Sequence, residues 1–276
     1  MPAPTQNGNL FPVALTIAGS DSGGGAGIQA DLKTFFAFGV YGASVITALT
    51  AQNTVGVQGI HDVPVDFIAR QFDSVCSDFP IASAKVGMLA TSEVIEIVAE
   101  KIDFHRVPHL VLDPVMVAKS GDRLLAPDAR EVLARRLFPL AEVLTPNIEE
   151  ASDLLGGTAI ETVDRMKEAA KRLHELGSRN VLLKGGHLTE GAVDILYDGE
   201  EIFTFEGCRV DTPHTHGTGC TLSSAIAAGL ALGKSVHEAV SEAKAYIQGA
   251  IENSLPLGKG RGPLNHMYRQ LSEKPL

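Results

Sequence analysis

Val13-Ala14-Leu15-Thr16-Ile17-Ala18 runs into Gly19-Ser20-Asp21-Ser22-Gly23-Gly24-Gly25-Ala26-Gly27, and that in turn into Ile28 to Phe38. The first six residues are an apolar run of buried-strand length, the glycines make a loop, and Ile28, Leu32, Phe35 and Phe36 recur on one helical face. Strand, glycine loop and helix in that order open an α/β domain. Gly25-Ala26-Gly27-Ile28-Gln29-Ala30 also matches the degenerate dinucleotide fingerprint G-x-G-x-x-A. That match predicts no dinucleotide. The next strand, Ala43 to Thr50, ends in Ala51-Gln52-Asn53 where a ribose-binding acid would stand, and the first glycines sit in an over-long loop.

The same alternation continues outward. Gly56 to Val63 reads as a short hairpin and Val65 to Phe79 as an amphipathic helix. Strands follow at Ala84–Met88, Leu110–Leu112, Val143–Thr145 and Val181–Lys184, with helices at Ser92–Phe104, Pro127–Leu137 and Val163–Leu176 between them. This predicts a mostly parallel sheet covered by helices on both faces. Ala192–Tyr197 and Ile202–Phe205 flank Asp198-Gly199 and predict an antiparallel hairpin at one edge. Helices at Cys220–Leu232 and Val236–Asn253 close the domain. Residues 1–11 are expected to be a flexible tail, and 12–276 one domain without repeats or linkers.

Composition narrows the function classes. A formal charge of −10 over 276 residues argues against nucleic acid or an anionic membrane as the main partner. Cys76, Cys208 and Cys220 are too few and too unpatterned for a disulfide framework and point to a reducing, cytoplasmic setting. Met1 to Phe11 lacks the basic start and apolar core of a signal peptide. The apolar run Ala225 to Leu232 is too short to span a bilayer.

Thr215-His216-Gly217-Thr218-Gly219-Cys220-Thr221 carries the chemistry. Its small residues lead into a helix, where first-turn amides and the positive end of the dipole favour an anion. The same field is expected to lower the Cys220 thiol pKa. Asp113, Asn147, Lys184 and Gln52 each stand at the carboxyl end of a strand, where open parallel sheets bind ligands. Gly229 to Ser235 falls one residue short of a Walker loop and follows a helix, so Gly233 reads as a C-cap. His214, His216 and Cys220 lack the second spaced pair of a zinc site. A thiol hydrolase built on Cys220 and His216 would leave the strand-end residues and Glu150 unused.

Several ordered segments resemble the hydroxymethylpyrimidine/phosphomethylpyrimidine kinases of thiamin biosynthesis, in the ribokinase-like superfamily. They are Ala14 to Asp21, Gly24 to Lys33, Tyr41 to Leu49, Lys85-Val86-Gly87-Met88-Leu89, Leu112 to Met116, Thr145-Pro146-Asn147, Lys184-Gly185-Gly186-His187 and His216 to Leu222. The resemblance covers about residues 14–265. It implies a three-layer α/β/α fold, a homo-oligomer such as a dimer, and ATP-dependent phosphorylation of the pyrimidine alcohol and then of its monophosphate.

Residue roles follow from the same resemblance. The amides of Gly217, Thr218, Gly219 and Cys220 form the anion hole, and Cys220 stands where sugar kinases of the superfamily carry an aspartate base. Lys184 pairs with the donor phosphates. Asn147 and Glu150 match an N-x-x-E element that holds magnesium, with Asp113 beside the phosphates and metal. Gln52 reads the aminopyrimidine edge, since a side-chain amide offers a donor and an acceptor together. Gly19, Asp31, Met88 and Val115 match further substrate-pocket positions. Val115 to Leu125, with Lys119 toward the phosphates, is expected to cover them as a mobile segment. A pyridoxal/pyridoxine kinase and a non-catalytic pyrimidine-binding protein on the same fold are the alternative readings.

Overall fold

The computed structural model describes residues 11–116, 125, 126, 128–186 and 192–272. β1 (Val13–Ala18) is buried at every position and lies inside an eight-stranded sheet. It pairs in parallel with β2 (Tyr41–Ile46) on one side and β5 (Ile81–Val86) on the other. β6 (Leu110–Leu112), β7 (Val143–Leu144) and β8 (Asn180–Gly185) extend the parallel sheet from β5. β9 (Val193–Tyr197) then enters antiparallel and β10 (Ile202–Phe205) turns back against it, which is the expected edge hairpin. The chain leaves β1 toward β2 and later returns to β1's other side, so the sheet has its switch point between β1 and β5. Ligand crevices form at such points.

Strand alternation decides which helix goes where. Leu15, Ile17, Leu110, Leu112 and Leu144 point to one face, packed with α2 (Val65–Cys76), α3 (Ser92–Phe104) and α4 (Ala129–Leu137). Ala14, Val111, Val143 and Leu182 point to the other, packed with α1 (Gly27–Ala37), α7 (Thr218–Ala231) and α8 (Val236–Glu252). Val181 and Leu183 join α5 (Ile148–Leu154) and α6 (Val163–His174) in a third cluster. The result is the expected three-layer α/β/α arrangement. α7 is buried through Thr221–Leu230 because its small residues let it lie close on the sheet. A Cβ on Gly229 would come within 2.8 Å of the Ala239 Cβ on α8.

β5 lies earlier than the expected Ala84–Met88, two elements differ in kind from the sequence-based expectation, and two α-helices were not foreseen. The strand read as Ala43–Thr50 divides at Thr47, whose N–H donates to Ala18 and whose hydroxyl donates to the Met88 carbonyl. Its second half becomes β3 (Ala48–Asn53), which pairs antiparallel with β4 (Gly56–Asp62) away from the main sheet. Gly56 to Val63 is therefore one arm of a hairpin instead of a whole one. α5 and the terminal α9 (Tyr268–Ser272) were not foreseen because seven and five residues are too short to display a helical period. No helix among the described residues is long and apolar enough to cross a membrane.

Candidate active site

α7 is capped at its start by Gly217, with φ of +85°, where a Cβ would lie 1.8 Å from the Gly25 carbonyl oxygen. Only glycine fits this left-handed turn pressed against the first glycine loop. The Thr218 hydroxyl donates to Thr215 O at 2.7 Å, and Thr221 N–H takes Gly217 O at 2.9 Å. The Gly219 and Cys220 amides occupy the intervening first turn, where no earlier helical carbonyl can accept them. A Cβ on Gly219 would sit 3.3 Å from Asp113 Oδ2 and 3.5 Å from Lys184 Nζ. The anion loop thus meets the strand-end acid and lysine.

Lys184 Nζ donates to Asp113 Oδ1 at 2.8 Å. Burial alone would lower the Lys184 pKa, but Asp113 and Glu150 outweigh it and hold the ammonium charged. Thr145 Oγ1 donates to Asp113 Oδ1 and Ser223 Oγ to Oδ2, each at 3.4 Å. Asn147 and Glu150 form a reciprocal capping box on α5: Asn147 Oδ1 accepts from Glu150 N–H and Glu150 Oε2 from Asn147 N–H, both at 2.8 Å. The N-x-x-E spacing is thus also a helix-start signal. Burial pushes Glu150 up to about 7, with Lys184 opposing and Asp113 adding to the rise.

On the opposite wall, Gly19 lies against Met88, a Cβ there falling 3.2 Å from the Met88 sulfur. Gln52 is held by backbone bonds to the Ser22 hydroxyl, both 2.8 Å, while its Oε1 accepts from Thr50 at 3.2 Å. Its Nε2 lies 3.4 Å from His216 Nε2. His216 also reaches Asp21 Oδ2 at 2.9 Å, and Asp21 accepts the amides of Gly23, Gly25 and Ala26. Burial would raise the Asp21 pKa, but His216 and the Ala26 and Gly23 amides lower it overall. His216 therefore ties the two glycine loops together. One cleft of about 1850 Å³ includes Gly19, Gln52, Asp113, Lys184 and Cys220 in its lining. That is enough room for two reactants.

Asn147, Glu150, Met88, Val115 and Gly217 to Gly219 also line the cleft. Asp31 differs: its carboxylate is fully buried against Lys85, Thr16 and Ser224. It lies behind the wall, not on it. Lys119 and residues 117–124 of the expected covering segment lie outside the described residues, as does His187. The expected lowering of the Cys220 thiol is corrected. Burial raises its pKa and Asp31 and Asp113 add to the rise, outweighing Lys85 and the Gly27 amide. Lys85 and Asp21 were not singled out beforehand, although a lysine inside the apolar run Ala84–Met88 was a legible signal. Among the described residues, no three His, Cys, Asp or Glu side chains cluster as a metal cage.

Residues 21–265 match the family model described as phosphomethylpyrimidine kinase. The chain is 56% identical over 254 residues to the thiamine biosynthesis bifunctional protein ThiED of Geobacter sulfurreducens, covering 92% of this chain but 52% of that one. It thus spans about half the length of that relative. It is 50% identical to the hydroxymethylpyrimidine/phosphomethylpyrimidine kinase of Streptomyces coelicolor, over 92% of this chain and 94% of that one. A Bacillus subtilis pyridoxal kinase, solved as an ADP complex, superposes with a TM-score of 0.87 at 43% identity, covering 95% of this chain and 99% of that one.

Proposed function

This chain belongs to the phosphomethylpyrimidine kinase family, and from that premise we propose that it moves the terminal phosphoryl group of ATP to hydroxymethylpyrimidine and then to its monophosphate, in the cytoplasm. The observation that carries this reading is the approach of the first turn of α7, at Gly219, to the Asp113–Lys184 pair. Phosphoryl transfer asks mainly for alignment and charge neutralisation. The Gly219 and Cys220 amides receive the transferring group, and Lys184 neutralises donor phosphate charge. Gln52 and Met88 hold the pyrimidine over Gly19, with Val115 beside it.

Magnesium fits the residues present without a cage. Asp113 is paired with Lys184, and Glu150, whose pKa of about 7 lets it give up its proton, would supply the second carboxylate for a cation carried in with the nucleotide. Asn147 Oδ1 and Glu150 Oε2 already cap α5, so these residues would hold the ion through water. When bound, magnesium supplies charge neutralisation at the phosphates. Burial leaves the Cys220 thiolate as the minor form at rest, and it is this form that takes the hydroxyl proton and becomes the thiol, late in a loose transition state where little base strength is needed.

A second reading, pyridoxal kinase, is supported by the likeness to the Bacillus subtilis enzyme. ADP release measured with hydroxymethylpyrimidine, its monophosphate, pyridoxal and pyridoxine separates the two. Highest kcat/KM on the pyrimidines is the expected result. Preference for the pyridines would reverse the assignment, and ADP formation with none of them would remove the kinase reading.

A further inference from the structure

A buried polar cluster beneath the cleft has no part in the scheme above. Thr16 and Lys85 are register partners on β1 and β5, and Asp31 comes from α1 and Ser224 from α7. Three side chains converge on the Asp31 carboxylate. Thr16 Oγ1 donates to Oδ2 at 2.6 Å, Ser224 Oγ to Oδ1 at 2.7 Å, and Lys85 Nζ to both oxygens at 3.1 and 3.0 Å. The Lys85 and Asp31 side chains are 0% exposed. Burying such a pair carries a desolvation cost that an apolar pair of similar volume would avoid. Core packing alone therefore gives little reason for it. Ser224 follows Cys220 by one helical turn, so the two share a face of α7. Lys85 and Cys220 border the same cleft.

Building on the kinase reading, we propose that Lys85 is a positioning residue for Cys220: the buried ammonium, fixed by Asp31, favours the thiolate, the form of the sulfur able to take the proton of the substrate hydroxyl. The charged groups around the sulfur are Lys85 on β5, Asp31 on α1, Asp113 after β6 and Lys184 on β8. Of the influences that favour the thiolate, Lys85 is the largest, while Asp31 and Asp113 oppose it. Burial would push the Lys85 pKa down, yet Asp31, Cys220 and Asp113 raise it, so the ammonium keeps its proton. Asp31 thus serves Cys220 by holding Lys85 charged while acting against it directly.

The test is the pH profile of iodoacetamide alkylation, followed at the Cys220 peptide by mass spectrometry in the free protein. Lys85→Met is expected to raise the midpoint by about one unit, slowing alkylation below it about tenfold. An unchanged or lowered midpoint in Lys85→Met overturns the proposal. Should Lys85→Met fail to fold, Lys85→Met/Asp31→Asn removes the pair without leaving an orphan charge. Its midpoint is expected above wild type, and equality with wild type overturns the proposal. No ATP or pyrimidine enters this assay, so its outcome is separate from that of the ADP-release screen.

Discussion

Replacing Cys220 by alanine removes one sulfur atom and leaves the first-turn amides of α7 in place. The variant is expected to fold normally and to lose at least about 100-fold in kcat on the pyrimidine alcohol, the scale of a lost general base. Near-wild-type ADP release would take the proton-accepting role away from Cys220. Gln52→Leu keeps the hairpin but removes the donor and acceptor pair. Its KM for the pyrimidine should rise about tenfold or more while the KM for ATP stays unchanged. An unaltered pyrimidine KM would show that the ring edge is read elsewhere. Gln52, Asp113 and Lys184 were legible because each is polar at the end of an apolar run. Lys85 and Asp31 were harder to place, because a polar residue in a buried element gives no sign of its partner until β1 and β5 are side by side.

Among the elements, α5 shows how one motif can serve two ends. Asn147 is both a cleft residue and the N-cap of α5. Asn147→Ala should lower stability by about 1 kcal/mol, and Asn147→Asp, another good cap, should restore it in urea denaturation. If the alanine variant keeps full stability, the cap contributes nothing. At the start of α7, Gly217→Ala would need both a left-handed turn and a Cβ 1.8 Å from the Gly25 carbonyl. Loss of ADP release and a lower denaturation midpoint are expected together; retention of both would mean that the loops can separate freely. Apolar elements bounded by turn residues were easily read, with α3, β6 and β10 found at their expected bounds. The break at Thr47 was invisible because it depends on bonds to Ala18 and Met88, residues distant in sequence.

For the whole molecule, acid sensitivity follows from the segment Leu264–His266 packed on α7 and α8. His266 is 5% exposed, its Nε2 lies 3.0 Å from Thr221 Oγ1, and its carbonyl accepts from Tyr246. Burial, aided by Lys33, lowers its pKa from 6.5 to about 4. Between those values the unfolded chain binds the proton and the folded chain does not, so stability present above pH 6.5 drains away as pH falls toward 4. At pH 5 the loss from this group is roughly 2 kcal/mol. His266→Gln should flatten the difference between urea denaturation at pH 7 and pH 5 by about that much; an unchanged difference would assign the acid sensitivity to other groups. The bond between Asp21 and His216 spans 195 residues. On the ribosome, β1 and its glycine loop must therefore wait for nearly the whole sequence before the cleft can close around a ligand. Until α7 and α8 emerge, the face that carries Ala14, Val111 and Val143 has only α1 on it. During translation this chain is a sheet with one side only partly covered, its long-range loop contact still to be made.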